Sequence, residues 1–316
     1  MPLSPGLSLI SAGHPSGEGK NSSESILILC AECDEPKFNF TDAAEWRYVQ
    51  SIHEPAAFRN PDTLVGQFLP ARRRWRLAWL SQKKLTALRS NPFYYYLVAR
   101  TKYYDHIFLD AISRNVQCII NVGCGSDTRS YRFEHLLREK GIKVLECDQL
   151  EVISNKQKVA ARRGRLDHIS YLAIDLSQST WPNFEHFLQT LRMQSALVMM
   201  EGVSPYLDVG SFTQFLRFLA RKLPSGSRLA YDYKLQGMDD GFGRVGKTLT
   251  PFRLPAAVEE VSAFHEELGY RLSHMDLSAE LMTRLLPGML GAEVPLLKED
   301  GLVQLEVISG HSDSSS

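Results

Sequence analysis

From Val116 onward, short apolar runs alternate with amphipathic stretches, and this alternation constrains the fold more than any other feature of the chain. Five runs of strand length, VQCIINV, IKVLECD, HISYLAID, SALVMMEGV and SRLAYDY, are separated by segments such as TRSYRFEHLLREK, LEVISNKQKVAARR, FEHFLQTLRM and VGSFTQFLRFLARKL. Each intervening segment places apolar residues at helical spacing. Near-continuous apolar runs without polar alternation belong to strands buried on both faces. Helices of about 10–15 residues between them supply the crossovers of a parallel sheet. The runs YRLSHMDL and LVQLEVI follow a Gly- and Pro-bearing loop and a helix near Pro255–Gly269. The expected architecture is α/β: a doubly wound, mostly parallel seven-stranded sheet of Rossmann-like type.

Upstream the pattern is helical and aromatic, in TDAAEWRYVQSIHEP, RRRWRLAWLSQKKLTALRS and NPFYYYLVARTKYYDHIFLDAI, with Leu77, Leu80, the Lys84 stem and Leu88 at helical spacing and Asn91-Pro92 marking a new start. Residues 1–25 are rich in Ser, Gly and Pro and cannot bury enough apolar surface to offset the entropy of ordering, so a disordered arm is expected there, and likewise a disordered tail over 310–316. The remainder divides into a strand/helical cap region over 26–114 and a ligand-binding domain over 115–309.

Lys and Arg (36) balance Asp and Glu (36) over 316 residues, so no global field draws the chain to nucleic acid or an anionic membrane. No apolar run approaches a transmembrane span, and the first basic residue is Lys20, so neither a span nor a signal peptide is expected. The five cysteines, Cys30, Cys33, Cys118, Cys124 and Cys147, read as reduced thiols of a cytoplasmic protein.

The first run ends in Asn121-Val-Gly123-Cys-Gly125-Ser-Asp-Thr128. Two glycines let the backbone turn sharply and approach a ligand at the carboxyl edge of the sheet, although a G-x-G of this kind also occurs as a mere tight turn. A dinucleotide fingerprint needs a third glycine where Thr128 stands. Its absence disfavours a pyrophosphate and leaves room for a nucleoside without phosphate. The next three runs end in Glu146-Cys147-Asp148, Ile174-Asp175-Leu176 and Met200-Glu201-Gly202. An acid at the second strand end can accept hydrogen bonds from ribose hydroxyls, and Asp175 can meet an adenine amino group beside a packing Leu176. Each acid taken singly also fits a helix N-cap or a solvated strand end. Four consecutive strand ends, each with a glycine pair or a carboxylate, argue for a site.

These residues resemble a known family. GCGSDTRSYRF, ECD, IDL and EGVSPYL, with PDTLVGQFLPARRR and YYLVARTKYYD upstream, are similar to the motifs of the leucine carboxyl methyltransferase family of class I S-adenosylmethionine-dependent O-methyltransferases, over roughly Asp42 to Tyr233. The resemblance implies S-adenosyl-L-methionine as cofactor. It implies that Arg100 holds the cofactor carboxylate, that Gly123 and Gly125 pass beneath the methionine portion, and that Asp148 binds the ribose. It further implies that Asp175 and Leu176 frame the adenine and that Glu201 lies beside the amino-acid end. The chain departs from the family at Cys124, commonly alanine, and at Gly202-Val203-Ser204-Pro205, where Pro205 reshapes the substrate wall.

A carboxylate acceptor, with a reference pKa of about 4, is already ionised near neutral pH, whereas a phenol of pKa about 10 needs a base. No His stands at a strand end; His106, His265 and His274 read as surface or core residues, and Tyr206 is a candidate for substrate contact that also fits a packed tyrosine. The expected function is therefore methyl transfer to an oxygen, carboxylate over phenol, of a small, polyketide-like acceptor. Two alternatives stand beside it: carboxyl methylation of the C-terminal leucine of a protein phosphatase, and a catalytically inactive cofactor-binding scaffold.

Other signals carry less. Gly241-Phe-Gly-Arg-Val-Gly246-Lys247-Thr248 matches a phosphate-binding loop, but Leu235-Gln-Gly-Met-Asp-Asp240 separates it from the preceding strand and Pro251 and Pro255 stop a following helix, so a lid or crossover loop is expected. Cys30-Ala-Glu-Cys33 is half a zinc site whose other half cannot come from sheet cysteines, and no metal is expected. Arg72, Arg73, Arg74 and Arg76 with Trp75 and Trp79 read as a solvated helix face, and Phe93–Tyr96 as core packing.

Overall fold

A computed structural model describes residues 43–164, 166–191, 193–238, 251–288 and 294–308. The chain divides into two units, Met1–Thr41 and Asp42–Ser316. The first lies outside the described residues, as do the arm over 1–25, Cys30 and Cys33, the loop over 241–248 and the tail over 310–316.

Eleven α-helices and eight strands are found among the described residues. Helices α1 (Ala43–His53), α2 (Ala71–Ala78), α3 (Gln82–Arg89) and α4 (Pro92–Ser113) precede the sheet. The parallel strands β1 (Cys118–Val122), β2 (Lys143–Asp148), β3 (Ile169–Ala173), β4 (Ala196–Met200) and β5 (Arg228–Leu235) alternate with α5 (Arg129–Arg132), α6 (Glu134–Glu139), α7 (Leu150–Ala161), α8 (Pro182–Leu191) and α9 (Val209–Lys222). After β5 come β6 (Arg253–Leu254), α10 (Val258–Glu266), β7 (Tyr270–Leu277), α11 (Ser278–Leu285) and β8 (Asp300–Val307).

The seven-stranded sheet runs β3-β2-β1-β4-β5-β8-β7, with the two-residue β6 added beside the end of β5. Strands β1 to β5 pair in parallel, while β8 enters antiparallel between β5 and β7. Every residue of β1 and β4 is buried, as apolar runs covered on both faces require. Strand order reverses between these two, and at that switch point the connecting segments leave for opposite faces and open a crevice beyond the carboxyl ends. On one face Trp181 and Phe184 of the α8 segment pack with Phe215 and Phe218 of α9. Phe212 and Phe252 meet Tyr231 of β5 in the same core.

Two segments differ from their sequence reading. The pattern over residues 71–89 is not one helix: it breaks after Ala78, and the Ser81 hydroxyl accepts from the Lys84 amide at the start of α3. Serine competes well for helix N-termini, so an apolar stripe that continues in register does not guarantee a continuous helix. TRSYRFEHLLREK similarly divides at Phe133 into α5 and α6. Helix α4 starts where expected, with the Asn91 side chain accepting from the Phe93 amide at 2.9 Å and Pro92 at the first helical position. Tyr94, Tyr95 and Tyr96 are buried, so the aromatic run is core, while Trp75 and Trp79 are exposed on the arginine-bearing face of α2 and just beyond it.

Candidate functional site

The loop after β1 is shaped by its glycines. Gly123 has φ +70° and Gly125 φ +39°, conformations that L side chains rarely adopt. A Cβ at Gly123 would stand 2.2 Å from the Val203 side chain, so the loop after β4 is seated where a side chain would otherwise be. The Cys124 amide donates to the Cys147 carbonyl at 2.9 Å, tying the loop to the end of β2.

Asp148 completes that tie. One carboxylate oxygen accepts from the Gly125 amide at 2.8 Å and the other from the Gln149 amide at 2.7 Å. A carboxylate has about four acceptor positions, so two further hydrogen bonds fit on a half-buried side chain already oriented by backbone. Beneath the loop, buried Lys156 of α7 donates to the Cys124 carbonyl at 3.1 Å and to Glu146 at 2.8 Å. Glu146 also accepts from Ser130 and from Asn121.

At the switch point, α4 delivers Arg100 to the end of β4. Its Nε donates to Glu201 at 3.2 Å and its Nη1 to Asp232 of β5 at 3.1 Å. Asp232 also accepts from the Gly202 amide at 2.6 Å and the Tyr104 hydroxyl at 3.1 Å. Arg129, fully buried, reaches Glu201 at 2.8 Å, Asp127 at 2.7 Å and Asp105 at 2.8 Å. Burial pushes Glu201 toward the protonated form, but Arg129 and Arg100 outweigh it and hold the carboxyl below its usual range. For Asp232 burial prevails over Arg100, and the carboxyl is raised. A third arginine, Arg47 of α1, pairs with buried Asp62 at 3.0 Å and donates to the Ser126 carbonyl, fastening the N-terminal helices to the glycine loop.

The structure therefore gathers Arg100, Gly123, Gly125, Asp148 and Glu201 at one end of the sheet. Asp175 lies just past β3, tied to this edge through the Ile174 amide and the Asp148 carbonyl, but its exposed carboxylate accepts from the Ser177 amide and hydroxyl and from Gln178. This is close to the solvated strand end that the sequence also allowed for a single acid. Leu176 packs against the adjoining core, and Tyr206 sits half-exposed in the turn after β4. His265 is core: its ring bonds the Tyr231 hydroxyl at 2.6 Å and the Val261 carbonyl at 2.5 Å. His106 is exposed, and exposed His274 pairs with Asp276.

Sequence reading assigns no particular role to Arg129, Asp127, Asp105, Asp232, Glu146 or Lys156. Arg129 and Asp127 lay in the D-T-R element, read only as a mark of resemblance. Asp232 was signalled by a lone acid inside the apolar run SRLAYDY. Among the described residues no cluster of His, Cys, Asp and Glu suits a metal ion, and no helix is long and apolar enough to cross a membrane.

The parallel order around the β1/β4 switch, the glycine loop and the acid at the end of β2 define a Rossmann-like fold of the class I methyltransferase type. A sequence profile described as leucine carboxyl methyltransferase matches residues 41–220, and the chain belongs to that family. A Mycolicibacterium gilvum protein, provisionally named an S-adenosyl-L-methionine-dependent methyltransferase, is 30% identical over 138 residues, covering 43% of this chain and 44% of that protein. One of the same description from Mycobacterium sp. (strain JLS) is 28% identical over 204 residues, covering 58% and 65%. The chain spans about half the length of the first of the curated relatives it matches. Magnesium protoporphyrin IX methyltransferase from Synechocystis PCC 6803, solved with bound SAH, superposes with a TM-score of 0.45 at 10% identity, over 71% of this chain and 93% of that one, a likeness too distant to bear on function.

Proposed function

We propose that this chain is an S-adenosylmethionine-dependent O-methyltransferase that esterifies a carboxylate. The observation that carries the reading is the Arg100–Glu201 pair, a cation and an anion 3.2 Å apart beside a glycine loop in which Gly123 has no room for a side chain. Such a pair complements the two ends of a zwitterionic amino acid, and Asp148 stands ready for a diol one strand away. The donor set suits the cofactor: Arg100 for its carboxylate, Glu201 for its ammonium, Gly123 and Gly125 beneath its methionine portion and Asp148 for the ribose, whereas Asp175, whose carboxylate is turned to Ser177 and Gln178, would reach the adenine with Leu176 only by releasing one of those bonds. When bound, S-adenosylmethionine supplies an electrophilic methyl group on a sulfonium. The chain's own work is to hold the acceptor oxygen in line and exclude water. Arg129 and Asp232 keep Glu201 and Arg100 in place, and the segment ending at residue 114 caps the crevice.

An ionised carboxylate needs no proton removed, and the buried His265 is engaged in the core rather than offered as a base. The family description, leucine carboxyl methyltransferase, speaks for a C-terminal leucine carboxylate, as on a protein phosphatase, over the polyketide-like acid read from the sequence. Catalytic loss is disfavoured by retention of Arg100, Asp148 and Glu201 together.

Calorimetric titration with S-adenosylhomocysteine tests the cofactor site without a substrate: micromolar binding lost in Asp148→Ala is expected, and its absence in folded protein would remove the methyltransferase reading. Methyl transfer from labelled cofactor to peptides ending in a free leucine, but not to their C-terminal amides, is expected next. Transfer to polyketide acids or phenols instead would reassign the acceptor.

A further inference from the structure

A second concave surface lies away from the strand ends. A groove of about 660 Å³ runs between α4, α5 and the turn at residues 61–64, and neither the glycine loop, Asp148 nor Glu201 lines it. That volume is within the range of small-ligand sites. Its charged lining is unequal: Lys102, Arg132 and Arg163 face one acid, Asp105. Asp105 is already committed, accepting two bonds from Arg132 at 2.6 and 2.7 Å and a third from Arg129. Lys102 and Arg163 make no ion pair among the described residues; the ammonium donates to the Ala57 carbonyl at 3.1 Å, and the guanidinium to Gln67 at 2.6 Å. Burial also lowers the Lys102 pKa, as it does for a cation without a counter-charge.

Apolar surface accompanies these cations. Leu64 and Leu109 line the same groove, together with the Phe133 ring, over which the Arg132 guanidinium lies 4.9 Å from the centroid. We propose that this groove binds an amphipathic organic anion, its charged head between Lys102 and Arg163 and its apolar body against Leu64, Leu109 and Phe133. The reasoning is one of complementarity: a neutral or cationic ligand would leave half-buried Lys102 and exposed Arg163 without a counter-charge, and an inorganic anion would leave the apolar wall uncovered.

Octanoate and octanamide, which share a hydrocarbon body and differ in charge, are the probes. Calorimetric titration of the full chain should show octanoate binding at least about ten-fold more tightly than octanamide. In the Lys102→Met, Arg163→Met double variant that preference should vanish, while S-adenosylhomocysteine affinity stays at the parent value. Equal binding of the two probes by the parent would overturn the proposal. So would octanoate binding that survives in the double variant, because the carboxylate would then be held elsewhere, the acceptor crevice included. Neither result depends on whether the chain transfers a methyl group.

Discussion

Arg129 Nη1 lies 2.8 Å from Glu201 Oε2, joining the first turn after the glycine loop to the end of β4 from a position with no solvent exposure. Removing a partner from a buried pair strands its counter-charges, at a cost of about 3–5 kcal/mol. Arg129→Met leaves Asp105, Asp127 and Glu201 short of a cation, and urea denaturation should show a loss of that size. Glu201→Gln, of similar shape, should keep the fold while weakening S-adenosylhomocysteine binding by about 10-fold or more. A destabilised but fully binding Glu201→Gln protein would make the residue structural only.

Asp148→Ala removes an acceptor held by two amides and should weaken cofactor-product binding by about 1–3 kcal/mol, the worth of charge-assisted hydrogen bonds. Titration with S-adenosylhomocysteine measures this directly, and near-unchanged affinity would take Asp148 out of the ribose role.

Gly123→Ala meets two obstacles, a left-handed backbone and a Val203 methyl 2.2 Å from the new Cβ. The backbone term alone costs about 1–2 kcal/mol. Pairing it with Val203→Ala should restore part of the lost stability but not the backbone term. A double variant as stable as the parent in thermal unfolding would show that the turn carries no such constraint.

His265 makes stability depend on pH. Burial lowers its pKa to about 4, against about 6.5 unfolded. Between these values the unfolded chain binds the extra proton, so the contribution is complete above pH 6.5 and is lost as pH falls toward 4. The span is worth about 3 kcal/mol at 1.36 kcal/mol per unit. Urea titrations from pH 7 to 4.5 should show this slope in the parent and a shallower one in His265→Gln. Parallel slopes would mean the imidazole already titrates in the folded state.

Local features were legible and long-range pairings were not. The glycine loop and the acids after β2 and β4 could be assigned to one edge because a parallel strand's carboxyl end follows from the strand itself. The end of α2 could not be placed from periodicity alone, because the apolar stripe continues through Leu80 while the backbone breaks to let Ser81 cap α3. Arg100 could be named as a cofactor ligand, but its partners Glu201 and Asp232 stand 101 and 132 residues away in the chain.

Sequence by itself determined the alternation that makes the sheet, the turn that only glycine permits, and the acids at or just past the ends of β2, β3 and β4, since all three depend on backbone conformation and spacing within a few residues. Tertiary structure alone decided which charges meet. Arg129 could be a surface cation as far as its neighbours are concerned. Packing of α4 against Arg129, through Asp105 and the Thr101 carbonyl, helps remove it from water, and a guanidinium so buried must find carboxylates in the space around it, which here come from α4, the β1 loop and the turn after β4.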